Sequence, residues 1–197
     1  MSQRAIEVLR RVSWVAAEDT RHSAPLLRQY GCNARLLPAH QHNEEDAAQR
    51  VIARLAVGES VALVVDAGTP GVSDPGARLV ARVRAAGHRV VPLPGPCAAI
   101  VALSAAGLGE AHFLFYGFLP TKAGQRAEAL RQLAHLPYAL IFYEAPHRIV
   151  ESIAALATVF GPDRTVVLAR ELTKLFESIH SCRLGDAEAW LPADADR

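Results

Sequence analysis

Lysine is nearly missing from this chain: Lys122 and Lys174 stand against 19 arginines. Cysteine is scarce too. Cys32, Cys97 and Cys182 are odd in number, far apart and form no CxxC pair. That argues against a disulfide framework or a zinc knuckle and suits a reducing compartment. Long apolar runs are lacking as well. The longest, Cys97 to Leu103, has seven residues, far short of the ~18 that span a bilayer. No membrane association is expected. An excess of one charge is also absent: 21 basic and 20 acidic groups give a net charge of +1, so no global field draws nucleic acid. The halves do not differ either, with 12 basic and 10 acidic groups in residues 1–112 and 9 and 10 in residues 113–197. Ser2 to Arg11 is amphipathic and charged rather than a basic-then-apolar leader, so the expected location is the cytoplasm. His40 and His42 lie two apart with no third ligand in view, so no metal is expected.

What is present is an ordinary globular composition. Half of the 197 residues are hydrophobic, enough for one large domain or two small ones. Helix-like and strand-like periodicity alternates along the chain. Ala5 to Val12 reads as a helix, Trp14 to Ala17 as a strand, Pro25 to Tyr30 as a helix and Arg35 to Ala39 as a weak strand. Asn43 and Asp46 resemble a capping arrangement ahead of a helix over 47–57. Ser60 to Asp66 is the clearest buried strand, followed by a Gly/Pro-rich loop and a helix over 77–86. His88 to Leu93 reads as the next strand, and Ala-rich 97–106 as a helix. This order predicts an α/β fold with a parallel sheet. The aromatic segment from Phe113 opens a second set: strands 113–118, 138–143 and 165–169, helices 125–135 and 147–160, and a helical turn near Trp190. The expected domains are therefore 1–112 and 113–197.

Three loops follow buried strands, where α/β folds place ligands. Asp66 to Gly76 holds three glycines, two prolines and two aspartates, which suits close backbone approach and hydrogen bonds to hydroxyls or an ammonium. It is neither a Walker A loop nor a GxGxxG turn. Pro94-Gly-Pro-Cys-Ala-Ala99 leads small residues into a helix start, whose N–H groups are expected to stay open to a ligand. Cys97 reads as a wall residue rather than a nucleophile. Phe142 to Arg148 gathers an aromatic, an acid, an imidazole and a guanidinium. Two weaker polar clusters, 17–23 and 169–174, also follow strands.

The strings AEDTRHSAPLL (17–27), VVDAGTPGVSDPGARLV (64–80), LPGPCAAIVAL (93–103), FYGFLP (115–120), FYEAPHRI (142–149) and LARELTK (168–174) occur in this order. Together they resemble the tetrapyrrole methylase-like superfamily, the class III S-adenosylmethionine-dependent methyltransferases. Within it they are similar to the bacterial enzymes that 2′-O-methylate a cytidine of small-subunit (16S) ribosomal RNA. The resemblance implies two αβα domains with S-adenosylmethionine in the cleft between them, and a homodimer acting on ribosomal RNA or the small subunit. It implies cofactor contacts from Gly68, Thr69, Pro70, Val72, Ser73 and Asp74, from Pro96, Cys97 and Ala98, and from Phe142 and Tyr143. Cys97 stands where the family more often has Ser. The family also opens with an apolar strand and closes with another. Neither is found here, so the sequence reads as a member lacking both, with exposed strand edges.

In-line methyl transfer needs alignment, and a 2′-hydroxyl needs an acceptor for its proton. Glu144 and Glu171 are the candidate acceptors. Arg21, Arg148, Arg170 and Lys174 are candidates for RNA phosphates. The alternatives are a non-catalytic homologue and a methylase acting on a tetrapyrrole-like small molecule.

Overall fold

A computed structural model describes residues 1–191. The terminal Ala-Asp-Ala-Asp-Arg stretch, read above as part of the second domain, lies outside the described residues. The chain divides into two compact units, Met1–Cys97 and Ala98–Arg197. The division falls ahead of the 112/113 boundary read from the sequence. The helix that opens the second unit accounts for the difference, because it is tied to the strand Ala139–Tyr143 of that unit.

The first unit runs α1 (Gln3–Arg11), β1 (Trp14–Ala17), α2 (Thr20–Gln29), β2 (Arg35–Pro38), α3 (Glu44–Ala56), β3 (Val61–Val64) and α4 (Ala77–Ala85). Its three strands form a parallel sheet in the order β2-β1-β3, with Trp14 opposite both Arg35 and Val61. Central β1 buries Val15, Ala16 and Ala17 completely. Its alternating side chains feed two clusters. Ala16 joins Leu37, Val51, Leu79 and Val83 on one face, and Val15 and Ala17 join Leu9 and Leu27 on the other. Helices thus cover both faces, as parallel strands require.

Three readings change here. β3 is only half-buried, because it lies at the edge of the sheet rather than inside it. His88 to Leu93 forms no strand. An apolar run becomes a strand only where a neighbour supplies a ladder, and this segment takes up none among the described residues. Asn43 does not cap α3 with its side chain. Its Oδ1 instead accepts the His40 N–H at 2.7 Å, and its Nδ2 donates to the Pro38 carbonyl at 3.2 Å.

The second unit runs α5 (Ala98–Ala105), β4 (Phe113–Phe118), α6 (Ala123–Leu133), β5 (Ala139–Tyr143), a 3₁₀ turn (Pro146–Arg148), α7 (Ile149–Phe160), β6 (Thr165–Arg170), β7 (Ser178–Arg183), a second 3₁₀ turn (Leu184–Asp186) and α8 (Ala187–Trp190). β4 and β5 pair in parallel, and β6 and β7 pair antiparallel. Leu130, Ile153, Leu156 and Leu184 centre its core. Among the described residues no helix is long and apolar enough to cross a membrane.

Candidate functional site

In the first unit, adjacent parallel strands end side by side. Ala17 is opposite Val64, so the residues that follow, Glu18 and Asp66, emerge at one edge. The Asp66 N–H donates to Glu18 Oε2 and the Asp19 N–H to Asp66 Oδ1, each at 3.3 Å. Asp74 joins them from the loop. Burial, followed by the negative charges of Glu18 and Asp66, holds its carboxyl above the usual carboxylate range. Three carboxylates therefore give this edge a local negative potential that a cationic ligand would relieve.

The loop over 66–76 is held from three directions. Val72 N–H donates to the Thr69 carbonyl at 3.1 Å, and Gly71 N–H to the Pro75 carbonyl at 3.2 Å. Thr69 Oγ1 donates to the Pro96 carbonyl at 2.9 Å and so ties this loop to the Pro94–Cys97 loop. At its exit Glu44 Oε2 accepts the N–H groups of Gly76, Arg78 and Leu79 at 3.1–3.3 Å. A carboxylate at a helix N-terminus is doubly favourable: it satisfies free donors and complements the helix dipole. Glu44 lies on α3, far away in sequence, and no local pattern announces the role. Gly76 has φ +124°, and a Cβ there would come within 2.8 Å of Leu63 Cδ2. At Gly68 (φ +76°) a Cβ would come within 3.6 Å of Asp74 Oδ2, and at Gly95 within 3.4 Å of Thr69 Oγ1. The two loops therefore approach each other through glycine, next to the carboxylates. Gly68, Thr69, Asp74 and Pro96 are brought together. Pro70, Val72 and Ser73 (φ +58°) shape the turn beside them. Cys97 is a free, half-buried thiol. Arg21 is 91% exposed on its side chain and pairs with Asp19 at 3.2 Å. The pairing lowers the Asp19 carboxyl and raises the Arg21 guanidinium.

In the second unit, the N–H of Ala99, next to Ala98 in the first turn of α5, donates to Tyr143 Oη at 3.1 Å. This corrects the expectation that the helix start is fully open, since one donor is used internally. The Tyr143 ring packs edge-on against Phe115 and Phe118, while Phe142 faces the core on the other side of the strand. Glu144 is committed on both oxygens. Oε1 accepts the Ala145 N–H at 2.9 Å and faces Arg148 Nε at 3.4 Å, and Oε2 accepts the Ser152 hydroxyl at 2.5 Å. Its side chain is 6% exposed. Arg148 in turn donates to the Leu119 carbonyl at 2.7 Å. Sequence reasoning did not find Ser152, a buried polar residue on α7.

Glu171, the other candidate acceptor, differs. It takes a left-handed conformation (φ +51°) after β6, and its carboxylate, 37% exposed, meets Lys174 Nζ at 3.2 Å. Thr173, also left-handed, donates its N–H to Glu177 Oε2 at 2.6 Å. Arg170 ends β6 half-buried. Among the described residues no cluster of His, Cys, Asp or Glu is arranged to hold a metal ion.

The model of the family described as Tetrapyrrole (Corrin/Porphyrin) Methylases matches residues 1–188. This chain belongs to the tetrapyrrole methylase family. Among curated relatives it is 52% identical, over all its 197 residues, to the ribosomal RNA small subunit methyltransferase I of Escherichia coli O157:H7, covering 69% of that protein. It is equally identical to the protein of that name from Pseudomonas aeruginosa, covering 70% of it. Among solved structures, the methyltransferase CobJ matches with a TM-score of 0.70 at 24% identity, over 94% of this chain and 81% of that one. A uroporphyrin-III C-methyltransferase from Thermus thermophilus, complexed with S-adenyl homocysteine, matches with a TM-score of 0.62 at 19% identity, over 96% and 84%. At such identities these structures support the tetrapyrrole methylase fold alone.

Proposed function

We propose that this tetrapyrrole methylase uses S-adenosylmethionine to methylate the 2′-hydroxyl of a cytidine in small-subunit ribosomal RNA. The observation that carries the reading is identity of 52% along the whole chain to ribosomal RNA small subunit methyltransferases. The first unit suits the cofactor. When bound, S-adenosylmethionine supplies an electrophilic methyl group on a sulfonium, next to a cationic ammonium. Glu18, Asp66 and Asp74 offer negative charge to such a cation, and Gly68 and Gly95 leave room for it beside the loop backbones.

In this reading the two candidate acceptors have different roles. Glu144 holds Ser152, Arg148 and the Ala145 N–H, so it is a positioning residue for the turn after β5. Glu171 keeps a partly exposed carboxylate and is the residue that takes the hydroxyl's proton. The phosphate contacts fall to the exposed Arg21 and Lys174 together with Arg170. Arg148 is occupied internally by Glu144 and Leu119. Phe142 and Tyr143 act through the strand end they shape, and Pro96, Cys97 and Ala98 through the second loop. The protein works as a homodimer in the cytoplasm, which light scattering of the purified chain would test.

The experiment for the function itself is transfer of labelled methyl from S-adenosylmethionine to small ribosomal subunits lacking the modification, followed by alkaline hydrolysis. A 2′-O-methyl group blocks cleavage at its own nucleotide, so label in a resistant dinucleotide is expected. Label released as a base-methylated mononucleotide would exclude ribose transfer.

A further inference from the structure

The second unit contains a cavity of about 820 Å³ whose lining includes all of β5 and residues 165–169 of β6. β5 pairs with β4 along one edge and β6 pairs with β7 along one edge. The opposite edge of each belongs to no ladder among the described residues. The two free edges thus border one cavity. Arg164, just before β6, donates to the carbonyl of Tyr138, just before β5, at 3.5 Å. That bond brings the starts of the two strands to the same end of the cavity.

The other walls are helical and apolar. Phe142 packs into the core with Ile153 and Leu156 of α7, while Tyr143 Oη meets Ala99 of α5. Successive strand residues point to opposite faces, so α7 covers one face of this sheet position and α5 the other. Ala102 and Leu103 line the cavity from α5, and Ile153 and Leu156 from α7. A site with free backbone donors and acceptors along two sides and apolar side chains along the other two has one natural complement. It is an extended backbone carrying apolar residues on both faces.

We infer that this slot accepts one further β-strand, a wholly apolar extended segment of about five or six residues, completing a single sheet from the β4-β5 and β6-β7 pairs. The source we assign is the chain length that the curated relatives possess beyond the part matched here, since this chain covers only 69–70% of them. Strand addition of this kind derives affinity from the ladder and selectivity from the apolar pockets. The inference stands apart from the proposed function and needs no cofactor or RNA.

The test uses the purified 197-residue chain and overlapping synthetic peptides, tagged with terminal lysines, covering the regions of the Escherichia coli O157:H7 relative outside the matched 69%. Binding is read by fluorescence anisotropy and by amide hydrogen exchange. One apolar peptide is expected to bind and to slow exchange about tenfold or more in both β5 and β6. Its backbone N-methylated form, equally apolar but unable to donate, is expected to bind at least about tenfold more weakly. The inference is overturned if no peptide binds, if protection is confined to one of the two strands, or if N-methylation leaves affinity unchanged, which would show an apolar pocket without a ladder.

Discussion

The Ser152 hydroxyl donates to Glu144 Oε2 at 2.5 Å, joining the first residue after β5 to the second turn of α7. Both groups are buried. The bond places a carboxylate that would otherwise be the obvious proton acceptor into a structural task. Ser152→Ala should therefore destabilise the protein by about 1–3 kcal/mol, the cost of leaving a buried acceptor short of a donor. Thermal unfolding measures it. Glu144→Gln should lower stability in the same way and leave the pH profile of kcat unshifted. A lost basic limb in Glu144→Gln would restore Glu144 to the chemistry.

Glu171→Gln should give the opposite pattern. Its carboxylate is partly solvated and pairs with Lys174 on the surface, where such pairs contribute little to stability. Unfolding should be unchanged within error, while kcat should fall about 10²-fold or more. Steady-state kinetics at saturating cofactor checks the split.

Glu44 carries a third prediction. Glu44→Ala orphans the N–H groups of Gly76, Arg78 and Leu79 together. The loss should be about 1–3 kcal/mol, with weaker S-adenosylmethionine binding because the loop exit loses its anchor. Glu44→Gln keeps one oxygen acceptor and should recover most of the stability. Denaturant unfolding and calorimetric titration of the two variants distinguish them.

The pH dependence of the first unit follows from Asp74. Its carboxyl in the folded state lies above the usual range, mainly through burial and then through Glu18 and Asp66. The folded state therefore holds this proton more tightly than the unfolded chain does. Stability falls as pH rises from the ordinary carboxylate range through the raised folded value, and the loss persists above it. Asp74→Asn should be more stable than the parent at neutral pH, and the difference should vanish in acid. The same variant should bind S-adenosylmethionine more weakly, a stability gain at the expense of function. Unfolding curves across pH, with a binding titration at pH 7, check both signs.

Much of this was legible in the sequence because it is local. β1 and β5 follow from short apolar runs, and the loop over 66–76 from its glycines and prolines. The site loops were found because they follow strands. What was hidden depends on neighbours distant in the chain. His88 to Leu93 has strand composition but no ladder, and β3 looks central but lies at an edge. β7 carries Ser, His, Ser and Arg, so its pairing with β6, rather than its composition, makes it a strand. Glu44 reads as an ordinary acidic residue in a first helical turn until α4 is brought to it. Asp19 starts α2 ahead of Pro25 by accepting the Arg21 N–H, a cap that the proline obscured.

The most direct measurement is methyl transfer from labelled S-adenosylmethionine to small ribosomal subunits by this chain and by its Asp74→Asn and Glu171→Gln variants. Label in an alkali-resistant cytidine dinucleotide is predicted for the parent, reduced in Asp74→Asn through cofactor affinity and in Glu171→Gln through kcat. Cofactor binding by a folded parent with no label in the RNA would contradict the assigned function.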